Sequence, residues 1–345
     1  MESGILSRKY IIPPFTTLDA KSAVWQQRKR AWLALGLRSE IGRNTAIYSN
    51  KWATEKGIRG LCANHTDISV FDPVLTECLV EWFCPQGGRV LDPFAGGAVR
   101  GVVSSRLGRA YIGVDLRAEQ VAANIEQKHL GGAGEIMWVC GDSSEILRTQ
   151  HTSDMILTCP PYGDLEVYSD DPADLSSVAK LSYIDFLMSF GKILTLATES
   201  LKQDSFASVV VSNYRDRKGV YRNLVGDTVD LGAAAGLTFY NELILLTPLG
   251  SAAMRADKQF TTSRKHVKVH QTVLIFVKGD PRAATARCAL NAPEEMGCKD
   301  LPAVSKPKRR NTGGDVSVAV ASQLPSEAGV DDGSVGVEDG GAVDA

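Results

Sequence analysis

The sequence predicts an α/β protein with a mostly parallel sheet and helices on both faces. Three observations carry that expectation. From Leu61 to about Asp280, short apolar runs bounded by breakers alternate with longer helix-like segments, the pattern of linked βαβ units. A glycine-bearing loop, LDPFAGGAVRG (Leu91 to Gly101), lies between the first strand and the following helix, where doubly wound sheets bind ligands. The stretch TCPPYGDLEVYS (Thr158 to Ser169) then ends an apolar run with two prolines. Neither proline has an N–H for a ladder, so the strand must stop there in a stiff turn.

The elements follow in order. Residues 1–60 read as a basic N-terminal helical extension, in which Trp25, Trp32, Leu33 and Leu35 interleave with Arg28, Lys29 and Arg30 before a stop near Gly36. Such a helix either packs on the main domain with its charges solvated or touches a DNA backbone. Within the domain at 61–280, Val74 to Trp82 reads as a helix, Arg89 to Leu91 as a strand and Val99 to Leu107 as a helix. Ala110 to Val114 is a strand, Glu119 to Lys128 a helix, and Ile136 to Cys140 and Met155 to Leu157 two more strands. Tyr183 to Leu201 is a long helix, Phe206 to Ser212 a strand, and Glu242 to Leu246 and Thr272 to Val277 close the set. Residues 281–345 turn to Ala, Gly, Ser, Pro and acid around a basic knot, KPKRRN, and read as a disordered acidic tail.

Composition bounds the function. The 345 residues carry a formal charge of −2, but the segment from Asn311 onward has seven acids and no Lys or Arg, which leaves +5 on the remainder. A mildly basic body permits nucleic-acid contact. No apolar run approaches the roughly 18 residues of a membrane span, and MESGILSRKYIIPPF lacks the apolar core of a secretory signal. The seven cysteines form no CxxC pair, so neither a zinc site nor a disulfide framework is expected, and a cytoplasmic setting fits.

The chemistry lies in spacing. Gly96 and Gly97 let the backbone turn and approach a ligand. Asp115 ends the next strand about 20 residues later, where a carboxylate accepts ribose hydroxyls, and Asp142 ends the third strand, within reach of an adenine amine. Neither GxGxxG nor GxxxxGKS is present, so a nucleoside without phosphates is expected, and S-adenosyl-L-methionine fits. At the proline turn, fixed carbonyl acceptors beside the flat Tyr162 suit a planar ligand bearing an amino group.

DPFAGG, the acid-ended strand YIGVD, GD and CPPY together resemble the amino-methyltransferases of DNA, which modify adenine at N6 or cytosine at N4. The resemblance runs from about Phe71 to Gly279, and FDPVLTE, LDPFAGGAVRG and HQTVLIFVKGDP are especially similar to phage and prophage DNA methylases. It implies a Rossmann-like S-adenosylmethionine-dependent methyltransferase fold and methyl transfer to the exocyclic amine of a flipped-out base. A restriction-protecting role in a phage-infected or bacterial cell would follow. By the same resemblance Asp92, Phe94, Ala95, Gly96 and Gly97 form the cofactor loop, Asp115 holds the ribose and Asp142 the adenine. Thr66, Asp67 and Ser69, with Phe71, approach the methionine end, and Cys159, Pro160, Pro161 and Tyr162 match the catalytic tetrapeptide. The family has Asp, Asn or Ser where this chain has Cys159. A thiol accepts weakly, which leaves the Pro160 carbonyl as the main acceptor and inclines the reading toward cytosine N4.

For double-stranded DNA, the segment 250–270 between the last two strands reads as a protruding basic loop with Arg255, Lys258, Arg264, Lys265 and Lys268. A second basic stretch, NYRDRKGVYRN, follows the strand ending at Ser212. The acids after CPPY, foremost Asp164 and Glu166, either shape the pocket or decorate a solvated loop. His266 and His270 have no metal-ligand spacing, and no metal is expected. Only about 15 residues separate Asp142 from Cys159, so recognition must come from the N-terminal segment and the late loops, which suggests a short target site. Two alternatives stand beside the DNA reading: an N-methyltransferase of RNA or of a protein amide, and a non-catalytic DNA-binding protein that retains the fold.

Overall fold

Val90, Leu91, Met155, Ile156 and Leu157 are each at most 1% exposed. Burial of both faces is what makes these strands read as continuous apolar runs. The structure is a computed structural model that describes residues 5–38, 41, 70–149, 152–165, 167–216, 218–250, 252–288 and 301–302. All of them lie within one unit, Met1–Val304.

The chain opens with α1 (Ile5–Tyr10), β1 (Thr17–Asp19), α2 (Ala23–Ala34) and α3 (Pro73–Phe83). The first half of the sheet follows: β2 (Arg89–Asp92), α4 (Val99–Arg106), β3 (Ala110–Asp115), α5 (Ala118–Glu126), β4 (Ile136–Cys140), α6 (Ser143–Ile146) and β5 (Ser153–Thr158). The second half comprises α7 (Leu175–Leu181), α8 (Tyr183–Ser200), β6 (Leu201–Val211), a β7–β8 hairpin (Tyr214–Arg215, Tyr221–Arg222), α9 (Leu224–Ala234), β9 (Thr238–Leu246), α10 (Ala252–Ser263), β10 (His270–Lys278) and α11 (Pro281–Arg287).

The eight-stranded sheet runs β1-β9-β10-β6-β5-β2-β3-β4. β10 pairs antiparallel with both neighbours, while the other described pairs within this sheet are parallel. This is a Rossmann-like α/β sheet with an apolar layer on each face. One layer gathers Trp25, Leu79 and Val102, and the other gathers Phe186, Phe190 and Ile193 of α8. The order reverses between β2 and β5, so the carboxyl ends of these strands open onto a crevice.

The structure departs from the sequence reading at both ends of the domain. The N-terminal segment is built into the sheet, because Thr17, Leu18 and Asp19 pair with Ile244, Leu245 and Leu246 of β9. Helix α2 packs rather than projects: Trp25 and Trp32 are fully buried. Arg28 forms a two-armed pair with the buried Glu77 at 2.5 Å, and Lys29 meets Asp72 at 2.9 Å. The helix packs on the domain, but two of its three basic charges are paired, with Glu77 of α3 and with its N-cap Asp72, rather than solvated, and Arg30 alone of the three is exposed. At the far end, residues expected in the acidic tail form α11. Arg287 anchors it by donating to Asp204 O at 2.8 Å and to Asp154 at 2.5 Å. The segment expected as a protruding loop is largely α10.

Candidate active site

The glycine loop turns after β2 because Gly96 adopts a left-handed backbone, φ +51°, which glycine enters without a Cβ clash. Side chains and strands then hold it. Ala95 N donates to Val114 O at 2.9 Å, Gly96 N donates to the Asp115 carboxylate at 2.9 Å, and Asn124 donates to Gly96 O at 2.6 Å. Asp115 also accepts from Arg117 N at 3.0 Å. The sequence-predicted ribose ligand thus stands at the end of β3 and helps shape the loop.

Beneath the loop lies a charged centre. Asp92 is fully buried, and its carboxylate accepts from Phe94 N (3.2 Å), Thr158 Oγ1 (2.7 Å), Arg100 Nε (2.5 Å) and Tyr111 OH (2.7 Å). Arg100 also donates to the carbonyls of Phe94 and Ala95 at 2.6 and 3.0 Å. Burial opposes the Arg100 charge, but Asp92 outweighs it and holds the guanidinium above its ordinary pKa. Burial, then the Asp92 charge, push the Tyr111 hydroxyl well up. The Asp92 carboxylate, in the expected cofactor loop, is taken up by protein donors. It ties the glycine loop to Thr158, the residue before the proline turn, with four donors on one carboxylate.

A cavity of about 410 Å³ opens above these elements, within the usual range for a small-molecule site. Phe71, Phe94, Gly96, Asp115 and Asp142 line it, as do Cys159, Pro160, Pro161 and Tyr162. Two sequence motifs 60 residues apart thus share one wall, because β2 and β5 are neighbours. Ala95 is buried behind the loop and Gly97 is half-buried beside it, and neither lines the cavity. Thr66, Asp67, Ser69 and Glu166 lie outside the described residues. Asp142 caps α6 by accepting from Ser144 N and Ser144 Oγ at 2.8 and 2.9 Å.

The proline turn is framed by Tyr162. Its hydroxyl lies 3.4 Å from the Cys159 sulfur and accepts from Gln271 Nε2 at 3.1 Å. The next residue, Gly163, has φ +57° and packs so closely that a Cβ would fall 1.7 Å from the Tyr214 hydroxyl. Asp164 is buried and donates its N–H to Tyr214, whose hydroxyl is raised to about 12 by burial and then by the Asp164 charge. Asp164 therefore shapes the wall from behind.

Sequence reasoning missed Lys29, Asp72, Arg100 and Gln271. Lys29 and Asp72 line the cavity as an ion pair, while Arg100 lies 4.4 Å under the Phe71 ring. Arg100 was legible in part, at the eighth position after Asp92 on the first turn of α4. Gln271 was not, because only the packing of β10 against the turn brings it to Tyr162.

Of the residues read as DNA-contacting, Arg255 and Lys258 are exposed on α10, and Arg264 and Lys265 follow it. Lys268 turns inward instead: its ammonium donates to Asn213 O at 3.3 Å, and burial lowers its pKa. His266 lies tilted beside Phe260, ring centroids 5.2 Å apart, and burial, then Lys268, lower the pKa of His270.

No family model matches the sequence, and no curated protein matches it. Solved structures resemble the fold at low identity. TrmN from Thermus thermophilus is 18% identical, with 60% of this chain and 49% of that chain covered and a TM-score of 0.40. This chain therefore spans about half of the TrmN structure. A TehB-like S-adenosylmethionine-dependent methyltransferase from Corynebacterium glutamicum is 17% identical, over 66% of this chain and 97% of that one, with a TM-score of 0.37. Magnesium protoporphyrin IX methyltransferase from Synechocystis, solved with bound S-adenosylmethionine, is 10% identical, over 67% and 92%, with a TM-score of 0.38.

Proposed function

We propose that this protein transfers a methyl group from S-adenosyl-L-methionine to the exocyclic amine of a base flipped out of double-stranded DNA, with cytosine N4 favoured over adenine N6. The observation that carries the reading is the shared wall: the Cys159–Tyr162 turn and the Gly96–Asp115 loop line one cavity. The residues suit the cofactor. The loop is pre-bent by Gly96, carboxylates stand at the ends of β3 and β4, and the Lys29–Asp72 pair matches the charges of an amino-acid end. Asp115 would hold the ribose, Asp142 the adenine, and Phe71 and Phe94 the apolar body.

When bound, the sulfonium supplies an electrophilic methyl group whose C–S bond breaks as the C–N bond forms, leaving a neutral thioether. The protein's part is placement and polarity. An exocyclic amine is a poor nucleophile because its lone pair is delocalised into the ring. The Pro160 carbonyl accepts its hydrogens and favours sp³ character at nitrogen, Cys159 adds a weak acceptor, and the released proton passes to water. Tyr162 stacks on the base, with its hydroxyl held by Gln271. A base inside a duplex cannot reach this wall, so extrusion is part of the reaction.

Incubation with S-adenosylmethionine and unmodified duplex DNA, followed by nucleoside mass spectrometry, tests the reading. N4-methylcytosine or N6-methyladenine, absent with Tyr162→Ala, is the expected result. A cofactor-binding protein that leaves varied DNA unmodified but methylates RNA or a protein amide would overturn the DNA assignment. Failure to bind cofactor would favour the non-catalytic reading.

A further inference from the structure

Two basic stretches far apart in sequence meet next to the proline turn that lines the cavity. The β7–β8 hairpin carries Arg215 and Lys218, both exposed. The segment after α10 carries Arg264, Lys265 and Lys268. Lys268 Nζ donates to Asn213 O at the base of the hairpin, and Lys265 Nζ lies 3.6 Å from where a side chain on Gly219 would begin, at its tip. The same segment runs on to Gln271, which holds Tyr162, while Tyr214 of the hairpin abuts Gly163. The hairpin is thus fastened to the proline turn from two sides.

Its charges are arranged rather than scattered. Asp216 is the hairpin's acid, and it is occupied: it accepts from Lys218 N at 3.0 Å, Val220 N at 2.9 Å and Arg222 Nε at 2.9 Å. Arg222 is drawn inward, paired with Asp216 at 2.7 Å and placed 4.7 Å over the Tyr183 ring. Arg215 remains outward, 5.0 Å over the ring of Tyr221, which is 53% exposed. An exposed aromatic ring stacked with an arginine, flanked by lysines, is a surface suited to a nucleic-acid backbone and an unstacked base.

We infer that the β7–β8 hairpin, joined to the 264–268 segment, forms a basic rim that grips duplex DNA next to the extruded nucleotide, with Arg215, Lys218 and Lys265 on phosphates and Tyr221 against the neighbouring base. The inference rests on the DNA reading above. A fixed rim at this place gives the extruded base a short path to Tyr162, because the elements that bind phosphate are bonded to the turn that binds the base.

The test compares the full chain with Arg215→Ala/Lys218→Ala, with Tyr221→Ala, and with Lys128→Ala, an exposed lysine just after α5, as a control. DNA affinity is measured across salt concentrations, cofactor affinity by calorimetry, and melting temperature verifies folding. Each phosphate contact contributes about 0.9 to the slope of log K against log salt. The double variant should therefore lose about 1.8 of slope and bind at least tenfold more weakly, with cofactor affinity unchanged. Tyr221→Ala should keep the slope yet lower methylation several-fold, and Lys128→Ala should change neither. Wild-type protein that methylates DNA, beside a double variant of unchanged slope and affinity, would overturn the rim and leave the reaction standing. Wild-type protein that binds cofactor but not DNA would overturn both.

Discussion

Removing the charge of Asp92 by Asp92→Asn tests the buried centre most directly. The carboxylate is fully buried and receives four donors, among them Arg100 at 2.5 Å. An asparagine keeps one acceptor oxygen and turns the other into a donor facing Arg100 or Tyr111. The Arg100 guanidinium, 5% exposed in its side chain, would then be a buried charge without its counterion. Breaking such a pair from one side destabilises by about 3–5 kcal/mol, which for a domain of this size lowers the melting temperature by about 10 °C. Arg100→Met leaves an acid that can take up a proton, so it should be milder. The double variant should be less unstable than the sum of the singles, with a coupling of about 2 kcal/mol. Chemical denaturation of all four proteins is the assay. Additive costs, or Asp92→Asn melting within 2 °C of wild type, would refute the account of Asp92 as the tie between the glycine loop and Thr158.

Other expectations follow from single contacts. Gly163→Ala needs a left-handed alanine with its Cβ against Tyr214; it should lose about 2–4 kcal/mol, and a wild-type melting curve would be contrary. Gln271→Ala removes the donor to the Tyr162 hydroxyl, and a neutral bond of about 1 kcal/mol implies roughly fivefold slower methyl transfer with cofactor affinity unchanged, read by single-turnover kinetics and calorimetry. Burial raises the Asp154 carboxyl, but the Lys202 hydrogen bond, the Arg89 N–H and the charges of Lys202 and Arg287 outweigh it and hold its pKa below the ordinary value. The folded protein therefore binds this proton less readily than the unfolded chain, so its contribution is present above the ordinary carboxylate range and is lost as pH falls through the folded pKa. Asp154→Asn should cost about 1–2 kcal/mol at pH 7, discounted because Lys202 and Arg287 are partly exposed, with the difference shrinking below about pH 4. An equal cost at pH 7 and pH 3 would contradict that origin.

Much of the fold was legible because strands buried on both faces must be apolar, and glycine and proline must punctuate them. β2, β3, β4 and β5 lie within two residues of their expected positions. Short elements were not legible: β1 has three residues and the β7–β8 strands two each, too few for a period to emerge. The exposed α10 has a helical period but no core face to announce it. At the site, the local motifs carried Gly96, Asp115, Asp142 and the Cys159–Tyr162 turn, because a tight backbone approach or a strand-ending acid needs those residue types at those places. The four protein donors on Asp92 were not legible, since a motif cannot say which side chains a buried carboxylate meets. The sequence by itself determined which backbone turns exist and in what order. Only the tertiary structure decided that Arg28 and Lys29 face Glu77 of α3 and its N-cap Asp72, that Arg100 lies beneath the loop, that Gln271 reaches Tyr162 and that the hairpin abuts Gly163. Those pairings depend on which strands become neighbours, and hydrogen bonding across the sheet, not distance along the chain, sets that.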